Sequence, residues 1–250
     1  MDKSPALVKC QDGSFTAYSS EFGEHYHSTK DGALQESLQK HVIPALHVNK
    51  HKPKLFILDI CFGLGYNTLA TLHYLHTNNI SKHISIFSVE FDKKLIDSLT
   101  KFKYPKIFDK YKHIIDSLST TGSYHSKTID IQLHLVDARE YLLTCKEKFD
   151  IIYQDAFSPA VNPALWTYEY FTQLYHLLAK DGVLTTYSIS LPTRLALYKN
   201  GFHIYLLKHQ NCRSSTLATT VPLQGYDEIN MQHKISCNPQ AEPLHDNAII

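Results

Sequence analysis

The 250-residue sequence lacks several features that would assign it to a large class of proteins at once. No apolar run is long enough to cross a bilayer, and residues 1–7 lack the apolar core of a signal peptide. The five cysteines are scattered, with no Cys-x-x-Cys spacing, which argues against a disulfide framework and a zinc site. We therefore expect a cytoplasmic protein with no membrane partner and no metal.

Charge and nucleotide-binding motifs are also sparse. The net charge is only +1, so any surface for nucleic acid must be local. No Gly-x-x-x-x-Gly-Lys-Ser/Thr loop is present, which disfavours a P-loop nucleotide site. The sixteen histidines include no pair at metal spacing on a clearly helical stretch. His25 and His27 alternate along an extended segment, and surface positions explain them better than a metal does.

The most informative stretch is LFILDICFGLGYNTLA, residues 55–70. The apolar run 55–58 predicts a buried strand, Gly63 and Gly65 predict a tight turn, and the leucines that follow repeat at helical spacing. A strand, turn and helix in this order place unpaired N–H groups beside a crevice that suits a nucleotide-like ligand. A tight connection without a ligand explains the two glycines equally well, so the rest of the chain must decide.

Predicted strands and helices alternate along the remaining chain. Further strands are expected at 84–89, 129–136, 149–154, 183–187, 202–207 and 215–221, the last two as a hairpin. This pattern predicts an α/β fold with a Rossmann-like, mostly parallel seven-stranded sheet and an antiparallel edge hairpin. We divide the chain into a small N-terminal extension with a hairpin and a helix (1–50), a main domain (51–221) and a loosely ordered tail (222–250). Residues 117–127 are expected to form a surface loop.

Acidic residues stand at the ends of four predicted strands: Asp59, Glu90, Asp137 and Asp155. Because parallel strands end at one edge of a sheet, we expect the four carboxylates to face the same crevice. Carboxylates accept hydrogen bonds from ribose hydroxyls, from an adenine amine and from an ammonium group. They would repel a pyrophosphate, so S-adenosylmethionine fits better than NAD, FAD or ATP. A solvated surface position for Glu90 and a helix N-cap role for Asp137 remain open.

Four segments together carry a resemblance to a known family: YSSEFGEHYHSTKDGALQES, CFGLGYNT, VDARE and DAFSPAVNPALWTYEYF. From about Asp12 to Thr219 the chain resembles the methyltransferase domain of MnmC. The resemblance implies a class I S-adenosylmethionine-dependent methyltransferase that N-methylates the 5-aminomethyl group of the wobble uridine, with or without 2-thiolation, in tRNA. It also implies an FAD oxidase or tRNA-modifying complex as a partner that supplies the aminomethyl group, since this chain looks like the stand-alone methyltransferase. Cys61 stands where the family usually has its first turn glycine, and we expect the turn to survive.

The resemblance also assigns cofactor-binding roles. The expected cofactor site combines strand-end acids, the turn and the N-terminal extension: Asp59, Gly63, Gly65, Asn67, Glu90, Asp137, Ala138, Tyr26, Ser28 and Glu36. Glu90 would hold the ribose, and Asp137 with the Ala138 N–H would hold the adenine. The extension would close over the ammonium end, although Glu36 also fits as a first-turn acid of a helix at 31–47, whose expected N-cap is Asp31.

Asp155 is the expected catalytic residue, since amino-group methyltransferases place a hydrogen-bond acceptor at this strand end, against the nucleophilic amine. The expected substrate-binding residues come from the loop that follows and from a basic stretch: Phe157, Pro159, Asn162, Trp166, Lys101, Lys103 and Lys106. Phe157 and Trp166 would stack a flipped uracil, although core packing explains Trp166 at least as well. The lysines of residues 93–112 would meet tRNA phosphates, although a solvated face explains them too.

Two other functions fit parts of the sequence. A methyl- or aminopropyl-transferase acting on a free small amine would also use an acid-lined pocket. A tRNA-binding protein without catalysis fits if Cys61 disturbs the turn. The presence of Glu90, Asp137 and Asp155 argues against the binding protein, and the basic stretch 93–112 argues weakly against the free amine.

Overall fold

A computed structural model describes residues 6–249 of the chain. It contains a small three-stranded sheet formed near the N-terminus and an eight-stranded mixed sheet. The expectation about a signal peptide concerns residues 1–7, of which 1–5 lie outside the described range. Within that range, no helix has both the length and the apolar character needed to cross a membrane.

The N-terminal extension folds into short strands followed by a helical segment. Its elements are β1 (Leu7–Lys9), β2 (Phe15–Ser19), β3 (Glu24–His25), α1 (Ala33–Glu36), a π-helical turn (Ser37–Val42) and α2 (Ile43–Val48). The three strands pair antiparallel, which extends the expected hairpin by one strand. The N-cap of α1 is Gly32 rather than the expected Asp31. The Asp31 carboxylate instead accepts a hydrogen bond from the buried Lys40 ammonium at 2.7 Å.

The large sheet supplies the framework of the main domain. Its strands are β4 (Lys54–Ile60), β5 (His83–Glu90), β6 (Ser123–His125), β7 (Ile129–Leu135), β8 (Phe149–Gln154), β9 (Leu178–Thr186), β10 (His203–Leu207) and β11 (Ser215–Thr219). They lie in the order β10-β11-β9-β8-β4-β5-β7-β6. The five central strands are parallel, and β10 and β11 form an antiparallel edge hairpin. The α/β fold and its mostly parallel sheet are therefore confirmed.

The described sheet has eight strands rather than the expected seven. The added strand β6 lies within residues 117–127, which we expected to be a loop, and it pairs antiparallel with β7. Gly122 adopts a left-handed conformation, φ 72°, at the end of the helix before β6. This conformation ends the helix and turns the chain back along β7, which sequence periodicity did not indicate.

Helices cover both faces of the sheet: α3 (Tyr66–Thr77), α4 (Lys93–Ser98), α5 (Lys112–Thr121), α6 (Ala138–Thr144), α7 (Tyr168–Leu177) and α8 (Leu191–Lys199). Successive residues of β4 point to opposite faces, so Ile57 joins one apolar cluster and Leu58 joins the other. Residues 91–112 do not form one continuous helix, because α4 is followed by two 3-10 turns, Leu99–Lys101 and Lys106–Tyr111. Pro105 precedes the second turn, where it lacks a backbone donor and disfavours continuous helix.

The C-terminal residues pack against the main domain, which differs from the loosely ordered tail that we expected. Helix α9 (Met231–Cys237) begins with Met231, which is buried. The Asp246 carboxylate accepts hydrogen bonds from both terminal nitrogens of Arg139, each at 2.6 Å. The Leu244 carbonyl accepts the N–H of Tyr168 at 2.8 Å. These contacts connect the tail to α6 and α7, close to the crevice described next.

Candidate active site

Three adjoining cavities lie beyond the carboxyl end of β4. The sheet order changes direction here, because the chain continues to β5 on one side and returns to β8 on the other. Such a switch point leaves a crevice between the connections. With their openings to solvent included, the first cavity measures about 610 Å³, the second about 550 Å³ and the third about 1010 Å³. The first and second share Cys61, Glu90, Phe91 and Asn162, so together they form one trough along the sheet edge.

The turn after β4 brings the backbone to the wall of the first cavity. Gly63 has φ 54°, and its N–H donates to the Glu90 carboxylate at 3.0 Å. A Cβ at Gly63 would lie 3.3 Å from the Tyr26 ring, so the turn has little room for a side chain. Cys61 also adopts a left-handed conformation, φ 59°, which explains why a glycine suits this position. The turn therefore survives with Cys61, as expected, at the cost of local backbone strain.

Glu90 is held in place by three backbone donors. One carboxylate oxygen accepts the Gly63 N–H, and the other accepts the N–H groups of Phe91 and Asp92 at 2.9 and 3.0 Å. Burial raises the pKa of Glu90, and these three hydrogen bonds act in the opposite direction by stabilising the carboxylate. The oxygen that accepts only the Gly63 N–H keeps acceptor capacity, so the fixed carboxylate can also bind a hydroxyl group in the trough.

Asp137 and Ala138 line the second cavity, at the far end of the trough. The Asp137 carboxylate accepts the N–H groups of Arg139 and Glu140 at 2.8 and 3.3 Å. Asp137 is therefore the N-cap of α6, one of the two interpretations that the sequence left open. Adenine binding, the other interpretation, is compatible with the N-cap role, because Asp137 lines the second cavity and its carboxylate oxygens can accept a further hydrogen bond there.

Asp155 lies at the end of β8 and lines both the first and the third cavity. One of its oxygens accepts the side-chain N–H of Asn67 at 2.8 Å, and the other lies 3.5 Å from His41 Nε2. Burial alone would raise the pKa of Asp155, but the facing His41 imidazole and the hydrogen bonds hold that pKa well below its ordinary value. The carboxylate is therefore charged at neutral pH.

Sequence reasoning missed His41, which faces Asp155. His41 is fully buried, and its Nδ1 lies 3.0 Å from the Thr185 hydroxyl on β9. A π-helical turn contains both Lys40 and His41, and the wider turn buries both of these polar side chains. No local sequence signal marks a π turn, so ordinary helical periodicity did not select His41.

The N-terminal extension covers the trough through contacts that were also missed. The ring of Phe22 stacks on Phe157 with centroids 4.5 Å apart, and Tyr26 lies 5.0 Å from the same ring. The Glu24 carboxylate accepts the Ser158 N–H and hydroxyl at 3.1 and 2.5 Å. The extension is thus connected to the loop after β8, and Tyr26 lines the first cavity as expected.

The structure separates Ser28 and Glu36 from the trough. Both line the third cavity, and the oxygens of Glu36 accept the Lys40 ammonium at 2.7 Å and the Ser28 N–H at 2.9 Å. Glu36 therefore takes part in a buried ion pair with Lys40 instead of facing the trough. The helix-dipole interpretation of Glu36 is also incomplete, because the ion pair with Lys40, four residues further along the helix, sets the position of the Glu36 carboxylate.

Asp59 and Gly65 lie beneath the turn and line none of the three cavities. Asp59 is fully buried and accepts the Thr68 hydroxyl at 2.8 Å. Burial raises its pKa to about 7, because few groups compensate the charged form. A Cβ at Gly65 would lie 2.8 Å from the Phe62 ring, so this glycine permits close packing rather than ligand contact.

The expected substrate residues divide into three groups. Phe157 and Asn162 line the first cavity, whereas Pro159 lines none of the three. Trp166 is buried and donates its ring N–H to the Phe157 carbonyl at 2.7 Å, which is the core-packing alternative. The lysines expected to contact RNA are exposed and stand outside all three cavities: Lys101, Lys103 and Lys106.

The trough fits S-adenosylmethionine by its chemistry. Among the described residues, neither the first nor the second cavity is lined by a lysine or arginine, so a pyrophosphate would lack a counter-charge. Asn67 lines the first cavity, and its buried Oδ1 has no hydrogen-bond partner among the described residues. An ammonium group there would satisfy this acceptor, and Glu90 stands ready for hydroxyl donors.

Comparisons with known proteins agree with this fit. A family model described as S-adenosyl-L-methionine-dependent methyltransferase matches residues 103–221. The chain is 34% identical over 205 residues to the MJ0670 protein of Methanocaldococcus jannaschii, covering 79% of this chain and 54% of that relative. It is 30% identical over 159 residues to the tRNA 5-methylaminomethyl-2-thiouridine biosynthesis bifunctional protein MnmC of Campylobacter hominis, covering 61% of this chain and 23% of that protein. It thus spans about half the length of the first relative and about a quarter of the second.

A solved structure shows the same similarity at the level of the fold. The crystal structure of MnmC2 from Aquifex aeolicus superposes with a TM-score of 0.85 and 28% sequence identity, covering 98% of this chain and 80% of that one. Fold, trough and matches together define a class I methyltransferase that depends on S-adenosylmethionine. More particularly, these matches support a methyltransferase of the MnmC type, and the resemblance, the enzyme class and the cofactor expected from the sequence are confirmed.

Proposed function

We propose that this enzyme N-methylates the 5-aminomethyl group of the wobble uridine in tRNA, with S-adenosylmethionine as methyl donor. Several relatives are named for biosynthesis of 5-methylaminomethyl-2-thiouridine in tRNA, and a secondary amine of that kind is the product of such a reaction. The single observation that carries the proposal is the buried, charged Asp155 at the junction of the first and third cavities.

Asp155 suits an amine acceptor better than a hydroxyl or carbon acceptor. A primary amine with a pKa near 10 is mostly protonated at pH 7, and freeing its lone pair costs about 4 kcal/mol. A carboxylate with a strongly lowered pKa is a weak base, so Asp155 would orient the amine and stabilise positive charge rather than keep the proton. We therefore expect the proton to leave to solvent before the nitrogen attacks.

The other residues of the trough would hold the cofactor. The cofactor supplies a methyl group bonded to a positively charged sulfur. Glu90 would accept the ribose hydroxyls, Asp137 and the Ala138 N–H would bind the adenine, and Asn67 Oδ1 would accept the ammonium group. Tyr26 and Phe157 would exclude water from the region beside Asp155, since their rings stand 5.0 Å apart over it.

Contact with tRNA requires cations that face solvent. Lys101 and Lys106 are exposed and have no recorded hydrogen-bond partner among the described residues, and Lys103 lies over the Phe15 ring at 4.6 Å. We propose that these three lysines meet backbone phosphates. Replacing all three lysines by alanine should raise the apparent dissociation constant for tRNA and make that constant less dependent on salt. The affinity for the cofactor should not change. Equal salt dependence in the variant would remove this surface from the proposal.

A separate activity must supply the aminomethyl group, so we propose an oxidase or a tRNA-modifying complex as a functional partner. The Campylobacter hominis relative is named as bifunctional, and this chain spans about a quarter of it.

The decisive experiment offers labelled S-adenosylmethionine to three acceptors in parallel: tRNA carrying 5-aminomethyluridine, unmodified tRNA and free polyamines. We expect label only in the aminomethylated tRNA, because it alone combines the nucleophilic nitrogen with the RNA backbone. Label in polyamines alone would establish a small-amine transferase. No transfer to any acceptor, with cofactor binding intact, would favour a binding protein without catalysis.

A further inference from the structure

The third cavity reaches the same carboxylate as the trough. It shares Tyr26, His27, Asp155 and Phe157 with the first cavity, whereas Tyr187 and Arg213 line the third cavity alone. The groups proposed for the ribose, the adenine and the ammonium of S-adenosylmethionine all line the first or the second cavity. The third cavity therefore offers a second reactant its own access to Asp155.

The lining of the third cavity is suited to a pyrimidine nucleotide. Three aromatic side chains, Tyr26, Phe157 and Tyr187, present rings on which an unstacked base can lie. The ring of Tyr187 is fixed, since its hydroxyl donates to the Ala156 carbonyl at 2.9 Å. With its opening to solvent included, the cavity measures about 1010 Å³, the largest of the three, which leaves room for a nucleoside.

Arg213 supplies a cation at the solvent side of the third cavity. Its side chain is 70% exposed, and its Nε–H donates to the buried Asp31 carboxylate at 3.2 Å. The Asp31 contact fixes the side chain, and among the described residues no hydrogen bond is recorded for its two terminal nitrogens. A guanidinium held at one edge and free at the other is well placed to bind a phosphate oxygen.

We propose that the third cavity binds the acceptor, a flipped pyrimidine nucleotide in RNA, with its aminomethyl group at Asp155 and its phosphate at Arg213. This inference rests on the proposed function and adds the route of approach. In the transfer, the nitrogen lone pair forms the new bond to the methyl carbon, and the carbon–sulfur bond breaks with its electrons left on sulfur. The nitrogen becomes a secondary ammonium, whose proton can leave through the third cavity to water.

The test uses a synthetic anticodon stem-loop RNA with 5-aminomethyluridine at the wobble position. RNA binding is measured by fluorescence anisotropy without cofactor, cofactor binding by calorimetry, and methyl transfer with both present. Thr29→Trp places a large ring in the third cavity only, and Arg213→Ala removes the cation. The matched control is Lys208→Ala, which removes one exposed charge from the same β10–β11 connection, outside all three cavities.

We expect Arg213→Ala to weaken RNA binding and raise KM by about 3- to 10-fold, less than a buried charged contact because the side chain is exposed. Arg213→Lys should recover part of this loss, and Lys208→Ala should match the wild type. Thr29→Trp should lose methyl transfer while keeping cofactor affinity within about 3-fold and a wild-type melting profile.

The outcomes separate this inference from the proposed function. A wild-type enzyme that does not methylate the stem-loop contradicts the proposed function. An active wild type whose Arg213→Ala variant binds RNA like the control overturns the third cavity as the acceptor site. Loss of cofactor binding in folded Thr29→Trp would assign that cavity to the cofactor and overturn it as well.

Discussion

The buried Asp59 predicts a pH-dependent stability that can be measured directly. Its pKa is about 7 in the folded protein, whereas an aspartate in an unfolded chain has a pKa near 3.9. The folded state therefore binds more protons between these values, and stability is lost as pH rises from about 4 to about 7. The gap corresponds to about 4 kcal/mol in total.

Asp59→Asn should remove this dependence, because the amide oxygen can still accept the Thr68 hydroxyl and carries no charge to bury. Urea unfolding at several pH values would compare the variant with the wild type. Between pH 5 and pH 8, the free energy of unfolding of the variant should rise relative to that of the wild type by on the order of 3 kcal/mol. Asp97→Asn, which changes an exposed aspartate, is the control and should show no such shift.

A stability difference that stays constant from pH 5 to pH 8 would refute this reasoning, since it would mean that Asp59 is ionised throughout. Cofactor affinity gives a second check. Asp59 lines none of the three cavities, so Asp59→Asn should bind S-adenosylmethionine within about 3-fold of the wild type. A much larger loss would return Asp59 to the cofactor site.

Three further predictions concern the turn and the catalytic carboxylate. Gly63→Val should abolish cofactor binding in calorimetry, whereas Gly225→Val, at a similar positive φ in open space, should not; equal effects would indicate backbone strain alone. Asp155→Asn should slow single-turnover methyl transfer by about 100- to 10,000-fold with cofactor affinity within several-fold, and a near-wild-type rate would make Asp155 structural. Cys61→Gly should raise the free energy of unfolding by up to about 1 kcal/mol, because it relieves a left-handed backbone, and a lower melting temperature would contradict that account.

Much of the site followed from the order of residues along the chain. The run 55–58, the glycine turn and the helix behind it form by local contacts, so periodicity and turn chemistry were sufficient to predict them. Glu90, Asp137 and Asp155 meet at one crevice because parallel strands end at the same edge of a sheet. The sequence alone therefore determined the fold class, the enzyme class and the acidic residues that line the crevice.

Only the tertiary structure decided which polar groups pair across long distances in the chain. Asp31 and Arg213 are separated by 182 positions, and His41 and Thr185 by 144, so no local pattern could connect them. The family resemblance assigned Glu36 to the cofactor, but the Lys40 ammonium binds its carboxylate inside the fold. A buried charge requires a partner wherever the fold provides one, and that requirement is satisfied in space rather than along the chain. The third cavity likewise depends on the tertiary structure, because its walls come from the N-terminal extension, the loop after β8 and the edge hairpin.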